Sequence, residues 1–524
     1  MTSYYSAAQV RDDLISGREI ALLDVREEAH FARGHPLFAA QFSLSRIELD
    51  AYARLPNRAV RIVLYDNGAG LVARAAELFG SLGYRDVNLL QGDLDGWRAA
   101  GGELFADVNA PSKAFGEFVE HARATPSLSA EQVRQWLDER RDIMIVDARR
   151  FDEYQTMSIP GAVSLPGGEL ALRIATLAPD SRTQVIVNCA GRTRSIIGAQ
   201  SLLNAGIRNP VAALRNGTIG WTLAGFALEH GQSYQAGAVD AATAERAATA
   251  ARGVADRAGV ARITVDEAAR WRAAPERTSY CFDVRSPAEY DAAHLPGFRS
   301  AAGGQLVQET DHFAPVRGAR IALVDDDGCR ANMAASWLAQ MGWQVAVVEN
   351  ARAQFSESGA WRAPAAPAPA VATIAPATLA AELEAEGSVV LDFTTSANYS
   401  ARHIPGAWFA LRAQLPAVLE HVPAARRYVI TCGSSALARF VADDLRALTD
   451  AEIVVLEGGT LAWIDAGLPL THGAERMASP PIDRYRRPYE GTDNSAQAMQ
   501  DYLDWEYGLV AQLRRDGTHG FRVI

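Results

Sequence analysis

The sequence holds four cysteines, Cys189, Cys281, Cys329 and Cys432, and one of them has neighbours suited to nucleophilic chemistry. Cys189 opens the run Cys189-Ala190-Gly191-Arg192-Thr193-Arg194-Ser195. The apolar Val185-Ile186-Val187-Asn188 precedes it and Ile196-Ile197-Gly198-Ala199 follows. A short apolar run reads as a buried strand and the segment after the loop as a helix, so the thiol stands where a strand hands over to a helix. The free N–H groups of such a loop and first turn converge on one point, and the helix dipole adds positive potential there. Arg192 and Arg194 contribute full charges, and Gly191 lets the backbone curve tightly. A cysteine so placed is expected to ionise readily and act as a nucleophile. The loop residues Ala190, Gly191, Arg192, Thr193, Arg194 and Ser195 are expected to cradle an anionic sulfur donor or the outer sulfur of a persulfide.

The elements that must hold this loop recur four times along the 524 residues. Apolar runs end in Asp24, Asp147, Asp283 and Asp392; the first three continue as Val25-Arg26, Ala148-Arg149 and Val284-Arg285, the fourth as Phe393-Thr394. A second apolar run then ends at Asp66, Cys189, Asp325 or Cys432. The interval from the first Asp to that point is 42 residues in three copies and 40 in the fourth. A helical segment follows each loop, and an aromatic closes each copy at Trp97, Trp221, Phe355 and Trp463. Alternating strands and helices imply a parallel sheet with helices on both faces, and in such sheets sites form at the carboxyl ends of the strands. The expected fold is therefore α/β, with four tandem parallel-sheet units at 1–110, 122–238, 258–362 and 371–475. An Ala-rich helical linker is expected over 236–257 and an extended Pro/Ala spacer from Pro364 to Pro369. The C-terminal extension, 476–524, is expected to carry an amphipathic helix from Ser495 to Arg515 that docks back on a domain.

The chain resembles the rhodanese superfamily over all four units. The resemblance is carried in the second unit by Asp147-Ala148-Arg149, Ile159-Pro160-Gly161-Ala162, Cys189 to Ser195, and Gly217-Thr218-Ile219-Gly220-Trp221. It departs from the usual Gly-His before Ile-Pro-Gly, which here is Met157-Ser158. The resemblance implies four rhodanese-like domains and a double displacement: Cys189 takes a sulfane sulfur from a donor such as thiosulfate, and a thiophilic acceptor then removes it from the persulfide. It implies a small donor anion, a thiol or cyanide acceptor, a protein sulfur acceptor as a further option, and no cofactor or metal. Cysteine phosphatases related to this fold use a wider Cys-x5-Arg loop, whereas the sixth position after Cys189 is Ser195 and Arg194 comes at the fifth. The tighter loop suits sulfur better than a phosphoryl group.

The other loops differ. Asp66 and Asp325 stand at the nucleophile position of the first and third units, where a carboxylate cannot form a persulfide, and both are expected to lie in solvated loops of inactive domains. Cys432 keeps the thiol without an arginine, and is a possible second site, a relay partner or a relic. Asp147 and Arg149 recur in units that lack a nucleophile, so a structural ion pair is the favoured reading, with contact to substrate at Arg149 as the alternative. Cys281 sits inside a strand, where packing is the ordinary role. The net charge of −11 speaks against nucleic-acid binding, and no apolar stretch is long enough for a membrane span. Four widely spaced cysteines and no leader pattern point to a reducing, cytoplasmic setting. The competing reading is a sulfur carrier or scaffold whose inactive copies hold a partner enzyme.

Overall fold

The computed structural model describes residues 3–384 and 388–524. Each repeat forms its own sheet. In the second unit the order is Ser127–Leu128, Val211–Leu214, Gln184–Asn188, Ile143–Asp147, Val163–Ser164, all parallel. The third and fourth sheets repeat this five-strand plan. Every residue of Ile20–Asp24 is buried, as are four of the five in Gln184–Asn188. Such strands are covered on both faces. Val185 and Val187 pack with Ala199 and Leu202 on one side; Ile186 packs with Tyr154 and Trp221 on the other. Register sets the site, since Asp147 pairs with Asn188 and thereby aligns the Asp-x-Arg strand end with the residue before Cys189.

The units are interlocked. The second and third approach so closely that a Cβ on Gly168 would lie 2.9 Å from the Gly304 nitrogen. The first and fourth are joined by Arg412, which donates to both Glu48 oxygens at 2.7 and 2.8 Å. Val316–Arg317 of the third unit pairs antiparallel with Ile20–Asp24 of the first.

Among the described residues, three helices lie outside the repeats. Ala241–Arg257, expected as a linker, is more than a tether: Ala251 and Val254 pack with Leu172, Cys329 and Met333 between the second and third units. Ala110–Arg123 falls between the expected first and second units, and its first eight residues and Val119 are buried, with the helix packed against Thr193–Asn204 and Ala496–Asp516. The C-terminal helix, Ala496–Asp516, is capped by the Ser495 hydroxyl and stopped by Gly517 at φ 69°. Its buried residues Met499, Tyr502, Leu503, Glu506, Leu509 and Leu513 form one stripe at helical spacing. Among the described residues no helix is long and apolar enough to cross a membrane.

Candidate active site

Cys189 stands directly after the central strand and is buried. Its carbonyl is fixed from below by the Thr218 N–H at 2.9 Å. That approach demands a glycine at 217, which has φ 55° and whose Cβ would lie 2.3 Å from the Cys189 oxygen. The loop then runs to Thr193–Asn204, where the Ser195 hydroxyl donates back to the Arg192 carbonyl at 2.8 Å. Among the described residues, none of the amides of residues 190–195 donates to an oxygen. A ring of amides left open at a strand-to-helix loop is a cradle for an anion.

Two electrostatic expectations are corrected. The first concerns Arg192, which does not charge the cradle. Its guanidinium turns to Ala110–Arg123, donating to Glu117 at 2.7 and 2.9 Å and to Glu120, and it stacks 4.0 Å over the Tyr507 ring. Arg194 does face the thiol, and it is held by Glu153 through two hydrogen bonds of 2.8 and 2.9 Å. Burial works against ionisation of Glu153, yet Arg194 brings that carboxyl down to about 2. The second correction concerns Cys189 itself. Burial pushes the thiol up, with Arg194 and Ser195 opposing and Glu506 adding to the rise. The thiol is thus less acidic than an electropositive loop alone would make it. Gly191 also differs from expectation. It is outside the left-handed region, and its missing side chain makes room for the C-terminal helix: a Cβ there would meet Tyr502 at 3.0 Å and Glu506 at 3.1 Å.

Arg149 holds Asp147 through bonds of 2.9 and 2.7 Å and also donates to the Met157 carbonyl, so it braces the strand end. It borders, with Arg150, Arg194, Arg484, Arg487 and Tyr489, a cavity of about 300 Å³ beside the loop.

Comparison with known proteins matches this architecture. The profile of the rhodanese-like domain matches residues 6–100, 129–224, 264–358 and 375–466. The chain belongs to the rhodanese family. A crystal structure of a thiosulfate sulfurtransferase from Pseudomonas aeruginosa is 62% identical, with a TM-score of 0.99 and 100% of both chains covered. YrkF of Bacillus subtilis is 26% identical over 137 residues, 24% of this chain and 73% of its own. An HTH-type transcriptional regulator of Mycobacterium tuberculosis, Rv0324, is 31% identical over 90 residues, 17% of this chain and 39% of its own.

The four rhodanese loops are filled differently. Asp66 is buried, not solvated as expected, and accepts the amides of Gly68 at 2.6 Å, Ala69 at 3.2 Å and Leu71 at 2.7 Å. Asp325 is likewise buried and accepts Gly328 at 3.0 Å and Ala331 at 2.8 Å. Both carboxylates occupy their own cradles. Cys329 begins the following helix, buried beside Met333 and away from that focus; its thiol is pushed well up by burial and by Asp327. Cys281 lies in its strand, with burial raising it to about 12. Cys432 has the same carbonyl clamp as Cys189, from Thr460 at 2.9 Å, and packs in an apolar cluster with Phe393, Leu415 and Leu437. Thr394 replaces the arginine there, and Asp392 is left buried with Oδ2 unpartnered.

The site residues that sequence reading missed come from outside the repeat. Glu117 and Glu120 lie on Ala110–Arg123, whose signal was Pro111 followed by Ala114, Phe115, Phe118 and Val119 at helical spacing. Tyr502, Glu506 and Tyr507 lie on the C-terminal helix. Its amphipathic stripe was legible, but its destination over Cys189 was not.

Proposed function

We propose that this sulfurtransferase works through a persulfide on Cys189. The observation that carries this reading is the open amide ring at residues 190–195, set against the carboxylate-filled rings of the first and third units. Thiosulfate is the donor we favour, from the activity named for the Pseudomonas protein. The Cys189 thiolate attacks the outer sulfur of the donor; the bond to the sulfite sulfur breaks, and sulfite leaves with the electron pair. The loop amides and Arg194 hold the persulfide anion. Cyanide or a thiol then takes the outer sulfur, and Cys189 departs as thiolate. The cavity bordered by Arg150, Arg194, Arg484 and Arg487 offers an anion a path to the loop. Four unpaired thiols support a reducing, cytoplasmic setting. The scaffold alternative gives no reason for an open cradle to stand beside a half-buried arginine paired to a glutamate. Incubation with thiosulfate followed by intact-mass and peptide analysis tests the proposal. One added sulfur atom, located at Cys189 and removed by cyanide, is expected; an adduct elsewhere, or none, defeats it.

A further inference from the structure

The C-terminal helix lies beyond every rhodanese-like match, the last of which ends at residue 466, yet it places a carboxyl against the Cys189 loop. Glu506 is fully buried. Its Oε1 accepts the Tyr502 hydroxyl at 2.9 Å and the Thr193 hydroxyl at 3.4 Å. Its Oε2 has no partner and lies 3.1 Å from where a Gly191 side chain would begin. A buried carboxyl with an unsatisfied oxygen is costly and rare. Here the oxygen is aimed at the turn that forms the cradle.

The groups around it leave it without a direct counter-charge. From Ala110–Arg123 come Lys113 and Glu117. Lys113 is bound to Asp107 at 2.8 Å and enclosed by the rings of Tyr489, Tyr502 and Trp505. Glu117 is bound to Arg192. From the loop come Arg192 and Cys189, and from its own helix Tyr502, with Asp107 and Tyr489 behind it. Among the described residues no ion pair reaches Glu506.

We propose that Glu506 is the proton store of the sulfur-transfer site. As the donor anion enters, the Cys189 thiol gives its proton to the Glu506 carboxylate and attacks as thiolate. The neutral acid then stands beside the persulfide anion, sparing the cradle a second negative charge. When the acceptor removes the outer sulfur, the departing Cys189 thiolate takes the proton back, so no proton is gained or lost over the cycle. Burial and then Glu117 push the Glu506 carboxyl up to about 8, and burial raises the thiol as well. A carboxyl raised into this range can act as a base near neutral pH. The inference rests on Cys189 being the sulfur carrier.

The test is the single-turnover rate of persulfide formation from thiosulfate on the full chain, read by intact mass across the neutral to alkaline range. Glu506→Gln is expected to slow the rate roughly 100-fold at neutral pH, to flatten its pH dependence, and to leave the final yield at one sulfur on Cys189. Glu506→Asp should recover part of the rate. Tyr502→Phe removes a hydrogen bond that favours the ionised carboxyl and should move the pH midpoint upward. Rates within twofold of wild type and an unchanged profile in Glu506→Gln overturn the proposal. Should that variant fail to fold, an unmoved midpoint in Tyr502→Phe overturns it equally. If wild type itself takes up no sulfur at Cys189, it is the sulfur-carrier reading that fails instead.

Discussion

The second and third units present nearly the same loop at the same strand end, and they use it in opposite ways. In each, an arginine five residues into the loop holds a glutamate from the neighbouring helix: Arg194 with Glu153, Arg330 with Glu289 at 2.7 and 3.0 Å. In each, an Asp-x-Arg pair braces the adjacent strand. The difference lies in two carboxylates. Asp325 folds into its own ring of amides, and Asp327 takes two more, from Cys329 at 2.7 Å and Arg330 at 3.1 Å. Cys189 brings no carboxylate to the ring, so its loop amides donate to no oxygen of the described residues. The fold builds an anion-binding ring in either case. Whether the ring serves a passing substrate or fastens the chain to itself depends on the residue at its mouth.

The largest effect should come from closing the open ring. Cys189→Asp is expected to abolish cyanolysis with thiosulfate, at least about 1,000-fold, while raising or preserving the melting temperature, because the carboxylate can take the amides as Asp66 does. Loss of stability in that variant would show that the rings are not equivalent. Next come the two arginines. Arg194→Met should lower kcat/KM for the donor by roughly 100-fold. Arg192→Met should lower it less than about tenfold but cost on the order of 3 kcal/mol in denaturant unfolding, since Glu117 would be left buried and unpaired. Equal kinetic losses in the two would contradict their different orientations.

The fourth unit shows what the brace is worth when half of it is missing. With Thr394 in place of the arginine, burial pushes Asp392 up to about 6. Its folded pKa exceeds its unfolded one, so this group favours folding in acid, and the benefit is lost as pH rises through about 6. At neutral pH the buried charge is a liability. Asp392→Asn should therefore raise the fourth unit's unfolding transition by about 2–3 kcal/mol at pH 7 and by little near pH 4, measured by denaturant titration at both. The smallest effect is expected at Cys432. Cys432→Ser should keep sulfur transfer within about twofold of wild type, because its loop brings no arginine to the thiol. A larger loss would point to a relay.

What could be read from the sequence was what lies inside one repeat. The strand ends, the Cys189 loop and the closing Trp221 sit at fixed intervals because one local geometry imposes them four times. The charge on Arg192 was misassigned because its partners, Glu117 and Glu120, lie on a helix outside the repeat. Gly191 looked like a turn glycine and proved to be a landing place for Tyr502 and Glu506, more than three hundred positions away. The solvation of Asp66 and Asp325 was misjudged for a related reason. A carboxylate in a polar loop reads as exposed until the amides around it are counted. Spacing reports contacts that recur, and it is silent on those made once.

The pairing of Val316–Arg317 with the first sheet has a consequence for how the chain is made. The first unit is synthesised before the third, and while Leu23 and Asp24 pair with its own Ala40–Gln41, the Ile20–Ala21 end of the same flank stays open until residues near 317 have left the ribosome. An uncovered strand flank invites pairing with other chains. A fragment ending before the third unit would keep that short end of the strand uncovered, so the first unit's edge is fully protected only once the third unit has been made.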